Sequence, residues 1–138
     1  MDITQVPFNR FIKILFWNGQ DQILGLAFDD NTKNHLGTFH AGAQFALAEA
    51  ASGLALQKHF PDLEGSVVPV LRKSEVKFKK PAQSDVRARA TLNAETKKRF
   101  ISQLNAKGRA AIAVPVEVTD ANGVITMTGR YEWFVRKL

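Results

Sequence analysis

The sequence predicts an α+β protein in which five or six antiparallel strands curl around one long, mostly buried helix. Two observations carry that expectation. From Ala41 to Leu56 the only polar side chains are Gln44, Glu49 and Ser52, and ten of the sixteen residues are Ala, Gly or Ser. A surface helix shows a broad polar stripe; this one has almost none, so the rest of the chain must wrap it. The flanking segments alternate apolar and polar residues with the period of two that marks half-buried strands. Strands outweigh the remaining helix, which requires the sheet to curl around it. At 138 residues the chain is one domain, residues 1–138, large enough to bury roughly two-thirds of its unfolded surface.

Taken in order, Pro7-Phe8-Asn9-Arg10 can start a helical turn. The apolar run Phe11 to Trp17 and the segment Ile23 to Phe28 then read as a hairpin about the Asn18-Gly19 turn signal. Asp29 to Asn34 is a polar loop. The small-residue helix runs from about 40 to 59 and is stopped by Phe60-Pro61-Asp62-Leu63-Glu64-Gly65. Val67 to Lys80 begins apolar and then alternates, Val76 and Phe78 against Lys77 and Lys79, until Pro81. Val86 to Leu92 alternates throughout. Phe100, Ile101 and Leu104 fall at helical spacing, which gives a short extra helix over about 95–107, closed by Gly108. Arg109 to Thr119 and Val124 to Val135 form a second hairpin around Asp120-Ala121-Asn122-Gly123. Pro115 has no N–H to give to a ladder, and so predicts an edge position or a bulge.

Composition narrows the chemistry. The absence of cysteine removes disulfides, thiolate nucleophiles and Cys-ligated metal together, and three scattered histidines show no metal-ligand spacing. No run approaches the ~20 apolar residues of a membrane span, and the amino terminus does not read as a secretory signal, so the cytoplasm is the expected location. The net charge of +6 is unevenly placed: residues 72 to 109 carry twelve Lys or Arg against three acids. Such a segment either meets something anionic or is the solvated face of a sheet. Nucleic acid is disfavoured, because Phe78 and Phe100 are its only aromatics.

Glu49 stands out because Asp and Glu are almost never fully buried without a partner. A carboxylate in an apolar setting has a raised pKa and can act as general base or as nucleophile; it can equally be a structural group bonded to a neighbouring loop or a second subunit. Just upstream, the helix start at Ala41 and Gly42 offers backbone N–H groups and the positive end of the dipole, which can polarise a carbonyl. His40 is placed to enter the helix and bond backbone, with a role in supporting the carboxylate as the alternative. Asn34 can orient a water or a carbonyl, or simply end the loop.

The segment Asn34-His35-Leu36-Gly37-Thr38-Phe39-His40-Ala41-Gly42-Ala43-Gln44-Phe45-Ala46-Leu47-Ala48-Glu49 resembles the hotdog-fold acyl-CoA thioesterases of the phenylacetyl-CoA thioesterase type. Their motif is Asn, two residues, Gly-Thr-x-His-Gly-Gly, then Phe-x-Leu-Ala and a catalytic Asp or Glu. Asn34, Gly37, Thr38, His40, Gly42, Phe45, Leu47, Ala48 and Glu49 match at the same spacing. Val76-Lys77-Phe78-Lys79-Lys80-Pro81-Ala82-Gln83-Ser84-Asp85 is similar, more weakly, to the family's strand ending in Arg-Pro-Ala and Gly-Asp. The helix after Leu92 resembles an uncharacterised thioesterase-like branch. The chain departs at Leu36, where the family often has His, at Ala41, where it has Gly, and at Gly53, where some members carry Ser or Thr.

The resemblance implies an acyl-CoA thioester hydrolase that uses no metal or redox cofactor, with coenzyme A entering as part of the substrate. It assigns catalysis to Glu49 and Asn34, carbonyl polarisation to the Ala41 and Gly42 amides, and support to His40 and Ser52. It further implies a homodimer, or a homotetramer built from it, because Asn and carboxylate come from different subunits. Lys79, Lys80 and Arg87 are the candidates for the phosphates of coenzyme A. The alternative is a non-catalytic hotdog protein that binds acyl-CoA or another acyl ligand.

Overall fold

The computed structural model describes residues Met1–Leu138. Its elements are α1 (Pro7–Phe11), β1 (Leu15–Phe16), β2 (Leu24–Leu26), α2 (Ala41–His59), β3 (Val67–Phe78), β4 (Val86–Ala90), α3 (Ala94–Lys107), β5 (Arg109–Thr119) and β6 (Ile125–Lys137). The six strands form one antiparallel sheet in the order β1-β2-β4-β5-β6-β3. The α+β arrangement, the six strands, the long central helix and the extra helix are as the sequence predicts. No helix is long and apolar enough to cross a membrane.

The alternation along the strands decides which face meets α2. Ala110, Ile112, Val114, Val116 and Val118 of β5 are buried, whereas Pro115 and Glu117 between them are exposed. On α2 the residues turned into this face are small, with Ala48, Ala50, Ala51 and Ala55 buried around Leu47 and Leu54. Short side chains let the helix backbone approach the curled sheet, which is why the helix carries no polar stripe. α3 packs on the same face, past the end of α2: Phe100 and Leu104 meet Ala110, Ile112 and Val135, with Leu56 and Phe60 alongside. Asn93 caps α3 through Thr96 N–H at 2.8 Å, and Gly108 closes it at φ 72°.

Two expectations are corrected. The first hairpin is much shorter than the apolar runs 11–17 and 23–28, with only Leu15–Phe16 and Leu24–Leu26 in the ladder. The chain spends Phe11 and Ile12 ending α1, and Lys13 takes a positive φ of 67° before the strand can begin. Pro115 lies neither on an edge strand nor at a bulge: β5 is interior, and its irregularity falls at Val118/Thr119. The carbonyl of Pro115 accepts Thr91 N–H at 3.1 Å, just where β4 has ended at Ala90. The missing N–H of Pro115 faces that same side, so it leaves no ladder bond unmade.

β6 carries the row that reaches α2. Gly129 sits between Met127 and Tyr131, and a Cβ there would lie 2.9 Å from Tyr131 Cε2 and 3.1 Å from Val76 Cγ1. The bare backbone thus makes room for the Tyr131 ring. Gly129→Ala should push that ring off its seat and cost about 1–3 kcal/mol, read as a lower urea midpoint at unchanged m-value. At the far edge, β3 pairs only with β6, so one side of its twelve residues is unpaired.

Candidate active site on helix α2

The three polar side chains of α2 between Ala41 and Leu56 have different fates. Gln44 is buried and its Oε1 accepts from Thr126 Oγ1 at 2.7 Å. Ser52 is fully buried; its hydroxyl donates to the Glu49 carbonyl at 2.7 Å and accepts from Trp133 Nε1 at 2.8 Å. The half-buried Glu49 carboxylate makes no hydrogen bond and no ion pair. Burial pushes its pKa up.

The backbone that carries Glu49 is nonetheless held firmly. Tyr131 O–H donates to the Phe45 carbonyl at 3.0 Å, and that carbonyl lies one helical turn before Glu49. Trp133, through Ser52, fixes the Glu49 carbonyl itself. Two aromatic residues of β6 therefore pin the turn from both sides while leaving the carboxylate oxygens free. The Tyr131 phenol is itself driven far up in pKa, first by burial and then by the Glu49 charge. Ser52, expected as a support of the carboxylate, supports its backbone instead.

Glu49 also gives a pH prediction. Its folded pKa lies above the unfolded one, so the folded protein holds the proton more tightly, and stability falls as pH rises from the unfolded value to the folded one. Glu49→Gln removes that dependence. Chemical unfolding should find the variant equal to the wild type below about pH 4 and more stable near pH ~8.

Upstream, the Asn34–His40 loop is closed on itself. Asn34 Oδ1 accepts from Leu36 N–H at 2.9 Å and Thr38 N–H at 3.1 Å; its Nδ2 donates to Thr38 Oγ1 at 2.8 Å and to the Phe39 carbonyl at 3.4 Å. Gly37 makes the turn at φ 75°. The second matching segment lies directly against this loop: Phe39 N–H donates to the buried Ala82 carbonyl at 2.8 Å, and Asp85 accepts from Phe28 N–H at 2.8 Å. His40 caps α2, its Nδ1 accepting from Gly42 N–H at 2.8 Å. The Gly42 amide is thereby occupied. Ala43 and Gln44 N–H both reach the His40 carbonyl, and the exposed Ala41 N–H alone of this turn makes no bond within the chain.

Lys79 and Lys80 leave the end of β3 at this same end of the molecule, their amides donating to the carbonyl of Thr126, the partner of Gln44. Arg87 lies three strands away on the outer face, over the Trp17 ring at 5.5 Å and bonded to Thr119 Oγ1 at 3.3 Å. The basic segment is thus divided among the end of β3, the outer face of β4 and the surface of α3. Sequence reasoning missed Tyr131 and Trp133 as the props of Glu49. The available signal was the period-two row Gly129-Tyr131-Trp133, two large aromatics beside a bare glycine.

Within one chain the parts do not converge. Ala41 and Glu49 are eight residues apart, about 12 Å along the axis, and first-turn N–H groups point off the helix end, away from Glu49. A carbonyl held by Ala41 is out of reach of the same chain's carboxylate.

The family model for a domain of unknown function, DUF4442, matches residues 21–135. No protein of curated function matches the chain. Among solved structures, a Pseudomonas aeruginosa protein of unknown function, described as a probable thioesterase, is 21% identical with a TM-score of 0.83, over 99% of this chain and 91% of its own. A Haemophilus influenzae thioesterase is 20% identical with a TM-score of 0.75, over 99% and 87%. A Bacillus halodurans protein crystallised with CoA is 21% identical with a TM-score of 0.70, over 93% and 74%. At these identities the likeness establishes a common fold, the hotdog.

Proposed function

The chain belongs to the DUF4442 family, and on that premise we propose that it hydrolyses acyl-CoA thioesters at a site shared between two copies. One observation carries the proposal. Of the three polar side chains between Ala41 and Leu56 of the central helix, the two neutral ones are bonded to β6, and the carboxylate is positioned by its backbone with its oxygens unused. A structural carboxylate would have partners; a base needs to be free of them.

Glu49, its pKa raised by burial, takes a proton from water as the water oxygen attacks the thioester carbonyl. The Ala41 N–H of the second copy donates to the oxyanion. Collapse breaks the C–S bond, and the Glu49 carboxyl returns its proton to the departing sulfur, leaving a carboxylic acid and the CoA thiol. Direct attack by Glu49, giving an anhydride that water opens, needs the same groups. Gly42 contributes by accepting the His40 cap that shapes the turn, and Asn34 by holding the loop that presents it.

What supports two copies is the separation of Ala41 from Glu49 together with the long unpaired edge of β3, where Val68 and Val70 are exposed. CoA as the carrier is supported by its presence in the Bacillus halodurans relative. Lys79 and Lys80, beside the first turn of α2, are the better placed of the candidate phosphate ligands; Arg87 is held by Trp17 and Thr119.

A non-catalytic acyl-CoA binder is the second reading. It is favoured by the Gly42 amide and the Asn34 side chain being already bonded inside their own segment. Release of free thiol from a panel of acyl-CoAs, short to long and aromatic, separates the two. Turnover supports the hydrolase, whereas tight binding of the same compounds without thiol release would establish the binder.

A further inference from the structure

The sheet register gathers the uneven charge of the sequence onto one surface. Outward residues of β5 alternate with buried ones, and their direct cross-strand partners share their face. β5 and β4 thereby turn Arg109, Glu117, Arg87 and Arg89 away from α2, and β6 adds Arg130, Glu132 and Arg136. β3, paired with β6, contributes Lys73, Glu75 and Lys77. Arg72, at the irregularity before Lys73, joins them by reaching Glu132 at 3.4 Å. Eight basic residues thus stand against three acidic ones on this face, a balance of +5. The whole chain has nineteen and thirteen, so eleven basic and ten acidic residues are left for the rest, a balance of +1. The net charge of the protein is almost wholly that of the outer sheet face.

Little of it is neutralised locally. The face holds two ion pairs, Arg72–Glu132 and Lys73–Glu75. Lys77, Arg89, Arg109, Arg130 and Arg136 are exposed and make neither an ion pair nor a side-chain hydrogen bond. Arg109 and Arg136 even stand directly opposite each other, and like charges so placed destabilise a sheet. An anion laid over the face would relieve that repulsion.

The neighbours of these cations distinguish one anionic partner from another. Leu15 on β1 and Val68 and Val70 on β3 project from the same face at its two edges, all exposed. A phosphodiester backbone gives such hydrocarbon nothing to pack against. A bilayer interface takes it up beneath the headgroups while the cations meet the anionic lipids. The aromatic rings of the face, Trp17 and Phe134, are covered by Arg87 at 5.5 Å and Arg72 at 5.3 Å, so neither is offered to a base.

We propose that the outer face of the sheet docks on a bilayer containing anionic phospholipid. Glu49 lies on α2, on the opposite side of the sheet, so docking leaves the candidate active site uncovered. The proposal stands apart from the hydrolytic reading and survives its failure.

Co-sedimentation with vesicles of phosphatidylcholine, and of an equimolar mixture with phosphatidylserine, tests it. The wild type should bind the mixed vesicles at least tenfold more tightly at low ionic strength and lose that preference in high salt. Each basic residue near an anionic surface is worth roughly fivefold in affinity. The double variant Arg130→Gln/Arg136→Gln should therefore lose at least tenfold, while melting no lower than the wild type because the Arg109 repulsion is relieved. Lys98→Gln/Arg99→Gln, the same charge change on the exposed surface of α3, should stay within about threefold. A wild type without preference for the anionic vesicles would overturn the proposal with no variant needed. Equal losses in the two variants would overturn it as well, since net charge and not this face would then set binding. Retention of a DNA or RNA oligonucleotide without binding to vesicles would overturn it in favour of nucleic acid.

Discussion

Glu49→Gln is expected to lower kcat/KM for acyl-CoA hydrolysis by about 10²–10⁴-fold, the usual worth of a positioned general base. The change removes one charge and almost no volume. Nothing in the chain pairs with the carboxylate, so its loss strands no partner, and the fold and assembly should be retained, with stability no lower than that of the wild type. The wild-type rate should rise with pH along a limb set by Glu49, above the ordinary carboxylate range because burial disfavours the charged form. In the glutamine variant that limb should vanish from whatever activity remains. A variant that keeps wild-type turnover and the same pH limb would remove Glu49 from the chemistry.

The second large effect is at a backbone atom. Ala41→Pro deletes one N–H, the only first-turn amide with no partner in the chain. Proline is well tolerated at the first position of a helix, where φ near −65° is already required. His40, the residue before it, has φ −64° and ψ 132°, the extended conformation that a following proline demands. The His40 cap on Gly42 is untouched. The variant should therefore fold as well as the wild type and yet lose about 10²–10³-fold in kcat, the cost of removing one oxyanion donor. Unchanged kcat in a folded Ala41→Pro protein would mean that the helix end plays no part in polarising the carbonyl.

Much of this was legible in the sequence. The central helix announced itself by what it lacked: without a polar stripe, Ala41–His59 could only be enclosed. The extra helix followed from Phe100, Ile101 and Leu104, and Gly108 stops it as expected. Glu49 was conspicuous because a charge among alanines is costly. Other features were hidden because they depend on contacts between distant segments. Pro115 is harmless in an interior strand only because β4 ends one residue early for it, and no local pattern gives the length of a neighbouring strand. The run from Phe11 to Trp17 is apolar enough for a strand, but most of it closes α1 and turns, its burial supplied by tertiary packing. Asn34 and Gly42 looked available to a ligand; in the folded chain their bonds are spent on the loop and on His40. Tyr131 and Trp133 gain their roles only when β6 is laid against α2.

In the proposed mechanism the carboxylate of one copy and the helix end of another act on the same carbonyl. Mixing Glu49→Gln protein with Ala41→Pro protein, after dissociation and reassociation, tests it directly. In a mixed dimer with two-fold symmetry of sites, one site pairs the intact Glu49 with the intact Ala41 amide and the other carries both lesions. Two nearly inactive proteins should regain about a quarter of wild-type activity on random mixing, since half of the dimers are mixed and each restores one site of two. Activity that stays at the level of the separate variants, with mixed dimers demonstrably formed, would contradict it.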